Sequence, residues 1–313
     1  MTPSEVSTRP DRIAEPTSGA GYGLGGRLGH SVPREWWPSA PLLKSYEAAG
    51  FDWVQLHSPP VSVLTDPRQL IRHAAAAAKG LATTGLAAIV HAPSGVRVGT
   101  PPGDRAFEGL LSYAAELGAR QIVYHALAVP ETTADGPARG AEAGSLARLA
   151  RLAERLEVTI AIENLAPVYP GPEPGSAGPP VLRDLAMRIA SERLGLCLDL
   201  GHAHVIADLR HTSVELLAEP VLDHVSVFHV HDNAGARRDP SRDQLGIDPL
   251  RLDLHLPPGR GTLPWDRVAP SLSAHRAPIV LEVHPPYLPR AEELAVQAER
   301  LLSSPRPDAR APS

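Results

Sequence analysis

Along most of the chain, short apolar runs alternate with segments whose apolar positions recur at helical spacing. That alternation is the pattern of β-strands exchanging with amphipathic helices in a parallel α/β fold. A first strand falls loosely near Gly21–Leu28. The later strands are Phe51–Leu56, Leu86–Val90, Gln121–Tyr124, Val158–Ile162, Gly195–Leu198, His224–Val230 and Pro278–Leu281. Between them the spacing predicts helices over Pro41–Ala49, Pro67–Lys79, Asp104–Leu117, Gly144–Leu156, Val181–Ala190, Ser213–Ala218, Leu263–Ala274 and Arg290–Leu302. Gly50, Gly80 and Gly118 each follow a helical run, where a left-handed residue ends a helix at least cost. Eight units in this length predict a single-domain (β/α)8 TIM barrel over residues 21–302. Residues 1–20 and 303–313, rich in proline and lacking periodicity, read as disordered tails. The competing doubly wound sheet would need its phosphate-binding glycines at Gly21, Gly23 and Gly26, but no strand precedes them and no helical pattern follows.

The barrel reading gives the polar residues a place. His91, His125, Glu163, Asp199, His229 and Glu282 each stand at the end of one of six consecutive strands. Strand ends converge on the C-terminal mouth, where barrel active sites are built. His202 follows Asp199 by three residues, and Asp253 and His255 lie in the long loop after the seventh strand. Taken singly, each could be a structural histidine or a carboxylate paired with arginine. Together they are hard to assign to chance. His, Asp and Glu make up 49 of 313 residues (14 plus 35), so six coincidences have a probability on the order of 10⁻⁵. Carboxylates directly after apolar runs are costly unless paired or metal-bound, and imidazole with carboxylate oxygen suits Zn, Mn or Fe. His57, His204, His231 and His284 fall near the mouth as candidate orienting residues, His73, His211 and His275 on solvated surfaces, and Cys197 in the core.

Composition removes several alternatives. The net charge is −5, and 28 of the 30 basic residues are arginine. A net acidic chain without a basic block is a poor nucleic-acid binder. The two lysines, Lys44 and Lys79, lie in predicted helices, which leaves neither a Walker A motif nor a Schiff-base lysine. One cysteine excludes an intrachain disulfide and a cysteine-rich metal site. With no signal-peptide pattern and no apolar run of 18 residues, a cytoplasmic protein without membrane contact is expected. Three loops are long: 127–145, 167–180 and 233–262. They read either as lids or as contacts to a second subunit of a homo-oligomer.

The motifs Ile-Glu163-Asn, Leu-Asp199-Leu-Gly-His202, His229-Val-His-Asp-Asn, Asp253-Leu-His255-Leu-Pro-Pro-Gly-Arg-Gly and Leu-Glu282-Val resemble those of the xylose isomerase-like TIM barrels. That superfamily joins sugar and sugar-phosphate isomerases and epimerases with endonuclease IV-type AP endonucleases. The resemblance covers about Gly21 to Leu302. It implies a Glu163/Asp199/His229/Glu282 site for one divalent metal, as in the epimerases. It equally implies a three-zinc set, as in the endonucleases: His91, His125 and Glu163; Glu163 again with Asp199, His229 and Glu282; and His202, Asp253 and His255. His231-Asp232-Asn233 and Leu-Pro-Pro-Gly-Arg-Gly are closer to the isomerase/epimerase branch, and the lysine of the endonuclease signature is absent here.

The expected activity is therefore a Zn-, Mn- or Mg-dependent isomerase or epimerase, with one to three ions, acting on a small sugar, sugar phosphate or polyol. The metal would polarise the carbonyl and stabilise an enediolate, Glu163 and Glu282 would act as acid and base, and His202 would orient a hydroxyl. Arg237, Arg238 and Arg260 are candidate phosphate contacts, and Trp37 beside Trp36 is a candidate pocket wall. The alternative is a zinc phosphodiesterase of the AP-endonuclease kind with a trinuclear centre.

Overall fold

The computed structural model describes residues 24–129, 136–167, 178–236 and 252–303. Eight parallel strands close into one barrel in sequence order: β1 (Leu28–Ser31), β2 (Trp53–His57), β3 (Ala87–His91), β4 (Gln121–His125), β5 (Thr159–Glu163), β6 (Leu194–Asp199), β7 (Val225–Val230) and β8 (Ile279–Leu281). β8 pairs with β1 to complete the ring. Outside it lie α1 (Ala40–Ala48), α2 (Val61–Leu64), α3 (Pro67–Leu81), α4 (Pro101–Leu117), α5 (Pro137–Arg155), α6 (Pro179–Ile189), α7 (Leu200–Leu209), α8 (Val214–Ala218), α9 (Trp265–Ala274) and α10 (Ala291–Leu302). The single-domain TIM barrel expected from the alternation is the fold found.

Local chemistry sets the ends of these helices. Asp66 caps α3 by accepting from the Arg68 and Gln69 amides at 2.9 and 3.1 Å. Gly118 ends α4 at φ +82°, a conformation that costs a residue with a side chain.

Several boundaries differ from the expectation. The first strand is Leu28–Ser31 rather than Gly21–Leu28, and residues 21–23 lie outside the described ones. α5 starts at Pro137, seven residues before the expected Gly144. α7 follows β6 directly, in a stretch given no helix by the pattern. Both sequence tails, and parts of all three long loops, lie outside the described residues.

Two apolar shells hold the barrel. The larger lies between strands and helices. The smaller fills the interior with Ile89, Val123, Ala161, Cys197, Val227 and Val280, against which Trp53 packs. Gly29 on β1 lets the neighbouring strands approach, because a Cβ there would stand 3.0 Å from Trp53 Cβ and 3.3 Å from Val280 Cγ2. Cys197 is the packed core thiol that its strand position predicts, and burial raises its pKa well above the usual value.

Candidate metal centre

Side chains two apart on a strand share a face. Two residues after each member of the inner apolar shell stand Gln55, His91, His125, Glu163, Asp199, His229 and Glu282, with Ser31 at the matching place after Gly29. Every strand therefore gives one polar side chain to a single layer above an apolar floor. All of these except His125 are buried. A cavity of about 660 Å³ opens over them at the C-terminal mouth, its wall including Arg34, His57, His202, Asp253, His255 and His284.

The nine residues singled out as metal ligands come together in three abutting groups. In the first, His91 and His125 bring Nε2 to 3.3 and 3.0 Å from Glu163 Oε2. In the second, His229 Nδ1 lies 3.1 Å from Glu163 Oε1, 3.3 Å from Glu282 Oε2 and 3.9 Å from Asp199 Oδ2. In the third, Asp253 Oδ2 faces His255 Nε2 at 3.0 Å and His202 Nε2 at 3.4 Å. Glu163 joins the first two groups, one oxygen turned to each. Four carboxylates face these imidazoles across short gaps. Glu163 Oε2, although buried, makes no well-aligned hydrogen bond. Donors gathered around a point in this way, with mixed nitrogen and oxygen chemistry, fit divalent cations.

The ring nitrogens turned away from these groups are also committed. His91 Nδ1 donates to the Ala92 carbonyl (2.8 Å), His202 Nδ1 to that of Asn164 (2.8 Å) and His255 Nδ1 to that of Glu282 (2.9 Å). Each bond fixes the tautomer that leaves Nε2 free as a ligand.

The motifs now have physical reasons. Asp199 caps α7 by accepting from the His202 amide at 2.7 Å, which aims both side chains at the mouth. Gly201 between them is obligatory, since a Cβ there would lie 2.1 Å from the His231 ring. Asn164 clamps β5 to β6 through the Asp199 amide (2.8 Å) and carbonyl (2.9 Å). Asp232 accepts from the Gly259 amide and the Trp265 indole, both at 2.9 Å, and so holds the returning loop that carries Asp253 and His255. His255 is in the left-handed region at φ +51°, a strain of about 1–3 kcal/mol that its two hydrogen bonds hold in place.

The carboxylates and imidazoles perturb one another. Burial pushes the Glu163 carboxyl up, but His125 and His229 overcome it and hold it well below the usual range. Glu282 is brought down to about 2 against its burial, chiefly by His229. Burial pulls His229 down, yet Glu282 and Glu163 raise it to about 9, and Asp253 does the same for His255. His202 is held well above its ordinary value by Asp199 and Asp253 in spite of burial.

Other expected site residues fall differently. Arg237 and Arg238 lie outside the described residues. Arg260 is exposed, and the 660 Å³ cavity is not lined by it. Trp37, with Trp36, walls a side cavity of about 420 Å³ that shares Arg34, His57 and His91 with the main one. Of the candidate orienting histidines, His231 lies 3.1 Å from Asp199 and stacks on His255 with ring centroids 3.9 Å apart, so it belongs to the third group. His204 bonds Thr262 instead, at 3.0 Å. His73 and His275, expected on solvated surfaces, are partly buried, His73 against Tyr113 (3.2 Å) and His275 against the Leu222 carbonyl (3.0 Å). The residue missed outright is Gln55. Its signal was available, because it stands two after Trp53, in the same layer as the ligands.

Fold and site together define a (β/α)8 barrel whose mouth gathers side chains able to hold metal ions. Residues 43–303 match the family described as xylose isomerase-like TIM barrel, and the chain belongs to that family. Among solved structures it is similar to a D-tagatose 3-epimerase-like protein, at 18% identity and TM-score 0.67, covering 88% of this chain and 97% of that one. It is also similar to 3-keto-D-glucoside 4-epimerase from E. coli (16%, TM-score 0.61, 88% and 98%) and to the IolI protein with bound zinc (17%, TM-score 0.64, 88% and 96%). A comparison with curated protein sequences finds no match. No helix among the described residues is long and apolar enough to cross a membrane.

Proposed function

We propose that the protein is a divalent-metal-dependent isomerase or epimerase of a small sugar or sugar derivative. The observation that carries this reading is the pair Glu163 and Glu282. Their carboxylates reach from β5 and β8 to the same imidazole nitrogen, at 3.1 and 3.3 Å, beneath a cavity of about 660 Å³. Solved relatives described as sugar epimerases support it. A divalent cation held by Glu163, Asp199, His229 and Glu282 supplies Lewis-acid polarisation of a substrate carbonyl. One glutamate takes the proton α to that carbonyl, and the other returns a proton to the opposite face, so no atom is gained or lost. Both carboxyls are held below their usual range and are bases at neutral pH. His202 orients a substrate hydroxyl through Nε2, Arg34 lines the main cavity, and Trp37 walls the side cavity that shares Arg34 with it.

The test is a panel of ketoses and keto-glycosides incubated with Zn-, Mn- and Mg-loaded protein, with stereochemistry followed by NMR in deuterated water. Exchange of one carbon-bound proton is expected, and its loss in Glu163→Gln and Glu282→Gln. Full exchange in both variants would overturn the reading.

One observation favours a second reading, a zinc phosphodiesterase. The third group of His202, His231, Asp253 and His255 completes a set able to hold three ions. Three tightly bound zinc ions per chain, together with cleavage of an abasic-site oligonucleotide, would favour hydrolysis. One Mn or Mg with proton exchange favours isomerisation.

A further inference from the structure

The polar layer holds a fully buried amide without an assigned task. Gln55 projects from the middle of β2, fully buried, into the ring of ligands. Its amide touches two of them. Oε1 lies 2.8 Å from His229 Nε2, and Nε2 donates to Glu282 Oε1. The amide nitrogen also lies 3.4 Å from Ser31 Oγ, the remaining member of the layer. We propose that Gln55 is a positioning residue that sets the ligand atom of His229 and limits Glu282 to a single coordinating oxygen.

The argument is one of donors and acceptors. His229 faces the carboxylates through Nδ1 alone, and its Nε2 is turned to Gln55. To coordinate through Nδ1 it must carry its proton on Nε2, and that N–H needs an acceptor. Glu282 Oε1, turned away from the group, needs a donor. A neutral imidazole offers one donor and one acceptor, and a carboxylate only acceptors. A single glutamine orientation satisfies both partners, oxygen to His229 and NH₂ to Glu282. An aspartate or glutamate on β2 could serve His229 but would repel Glu282, and an apolar residue would serve neither. Gln55 thereby makes the two glutamates unlike. Glu163 has both oxygens turned to imidazoles, toward His91 and His125 on one side and His229 on the other, whereas Glu282 keeps only Oε2 for a cation. This holds under either functional reading, because both use the second group.

The experiment uses full-length protein labelled with ¹⁵N-histidine, stripped of metal and titrated with Zn²⁺, with long-range ¹H–¹⁵N spectra reading each imidazole's tautomer and metal shift. In the wild type His229 is expected as the Nε2–H tautomer with Nδ1 shifted by zinc. Gln55→Ala should weaken zinc binding at His229 by about 10–100-fold and mix its tautomers, leaving the His91 and His125 shifts at their wild-type zinc concentrations. Gln55→Glu, nearly isosteric, should keep the His229 tautomer but tighten zinc there, because it adds a negative charge and removes the donor that holds Glu282 Oε1 away from the cation. A merely structural role would move all the histidines together. Unchanged His229 tautomer and affinity in Gln55→Ala would overturn the proposal. Should that variant fail to fold, wild-type zinc affinity in Gln55→Glu would overturn the Glu282 half, and a changed His229 tautomer there would overturn the other half.

Discussion

Stripping the protein of metal should make its stability fall as pH rises across the neutral range, the reverse of the common acid sensitivity. The cause is His229. Its pKa rises from 6.5 to about 9 on folding because Glu282 and Glu163 outweigh its burial. A group raised in the folded state contributes fully below its unfolded pKa and loses that contribution as pH climbs through its folded pKa. The window is therefore pH 6.5 to 9. That difference corresponds to about 3 kcal/mol. His255, raised to about 9 mainly by Asp253, titrates in the same window. Both imidazoles face Glu282, so the two contributions do not simply add. The carboxylates act elsewhere. Glu282, held at about 2, loses its contribution only as pH falls below its ordinary value of 4.5. Urea unfolding of EDTA-dialysed protein at pH 6.5, 7.5, 8.5 and 9.5 reads the effect. With a slope of about 3 kcal/mol/M, the midpoint should drop by roughly 1 M. Added zinc should abolish the drop, because cations replace the protons and bind better as the imidazoles deprotonate. A metal-free midpoint that stays flat or rises from pH 6.5 to 9.5 would refute the reasoning.

Removing Glu142 should be the most damaging change away from the mouth. It is fully buried between Arg139, the Tyr124 hydroxyl (2.9 Å) and the Leu127 amide (2.6 Å). Glu142→Ala should cost about 3–5 kcal/mol by thermal or urea unfolding, since Arg139 is left buried and uncompensated. Gly201→Ala drives a Cβ into His231 and should lower the metal content of the third group while sparing the first, as read by metal analysis against Zn²⁺ concentration. Trp37→Ala should raise KM more than it lowers kcat, because the indole walls the side cavity and stands apart from the ligands.

Much of the site was legible because period-2 alternation and strand ends are local properties. A strand with an inward apolar residue at one position points the residue two later to the same side, and six times that residue was His, Asp or Glu. The same rule reaches Gln55 from Trp53, but an amide within an apolar run does not announce ligand chemistry as His229 does. β1 differs from the expected range because its inward residue is Gly29, which lets Trp53 Cβ and Val280 approach, and glycine carries no hydrophobic signal. α7 escaped because it is buried nearly all round, so it shows no amphipathic period, and it follows Asp199 without a loop. α5 was begun late because Pro137 at its first turn, followed by small residues, reads locally as loop. The histidine partners Tyr113 and Leu222 lie 40 and 53 residues away in the chain, a separation that no local pattern encodes.

The apolar floor has a consequence for traffic. Trp53 and the six side chains beneath the polar layer seal the barrel from below. Among the described residues, the polar layer is therefore reached from the mouth and not from below. The low-dielectric floor also leaves the field of Glu163, Asp199 and Glu282, all buried, and of the partly exposed Asp253 to spread outward through that opening. A cation held by these groups and a molecule bound in the mouth would then use the same opening. Occupancy of the mouth by substrate should then slow metal loss, so that a turning-over protein holds its ions longer than an idle one.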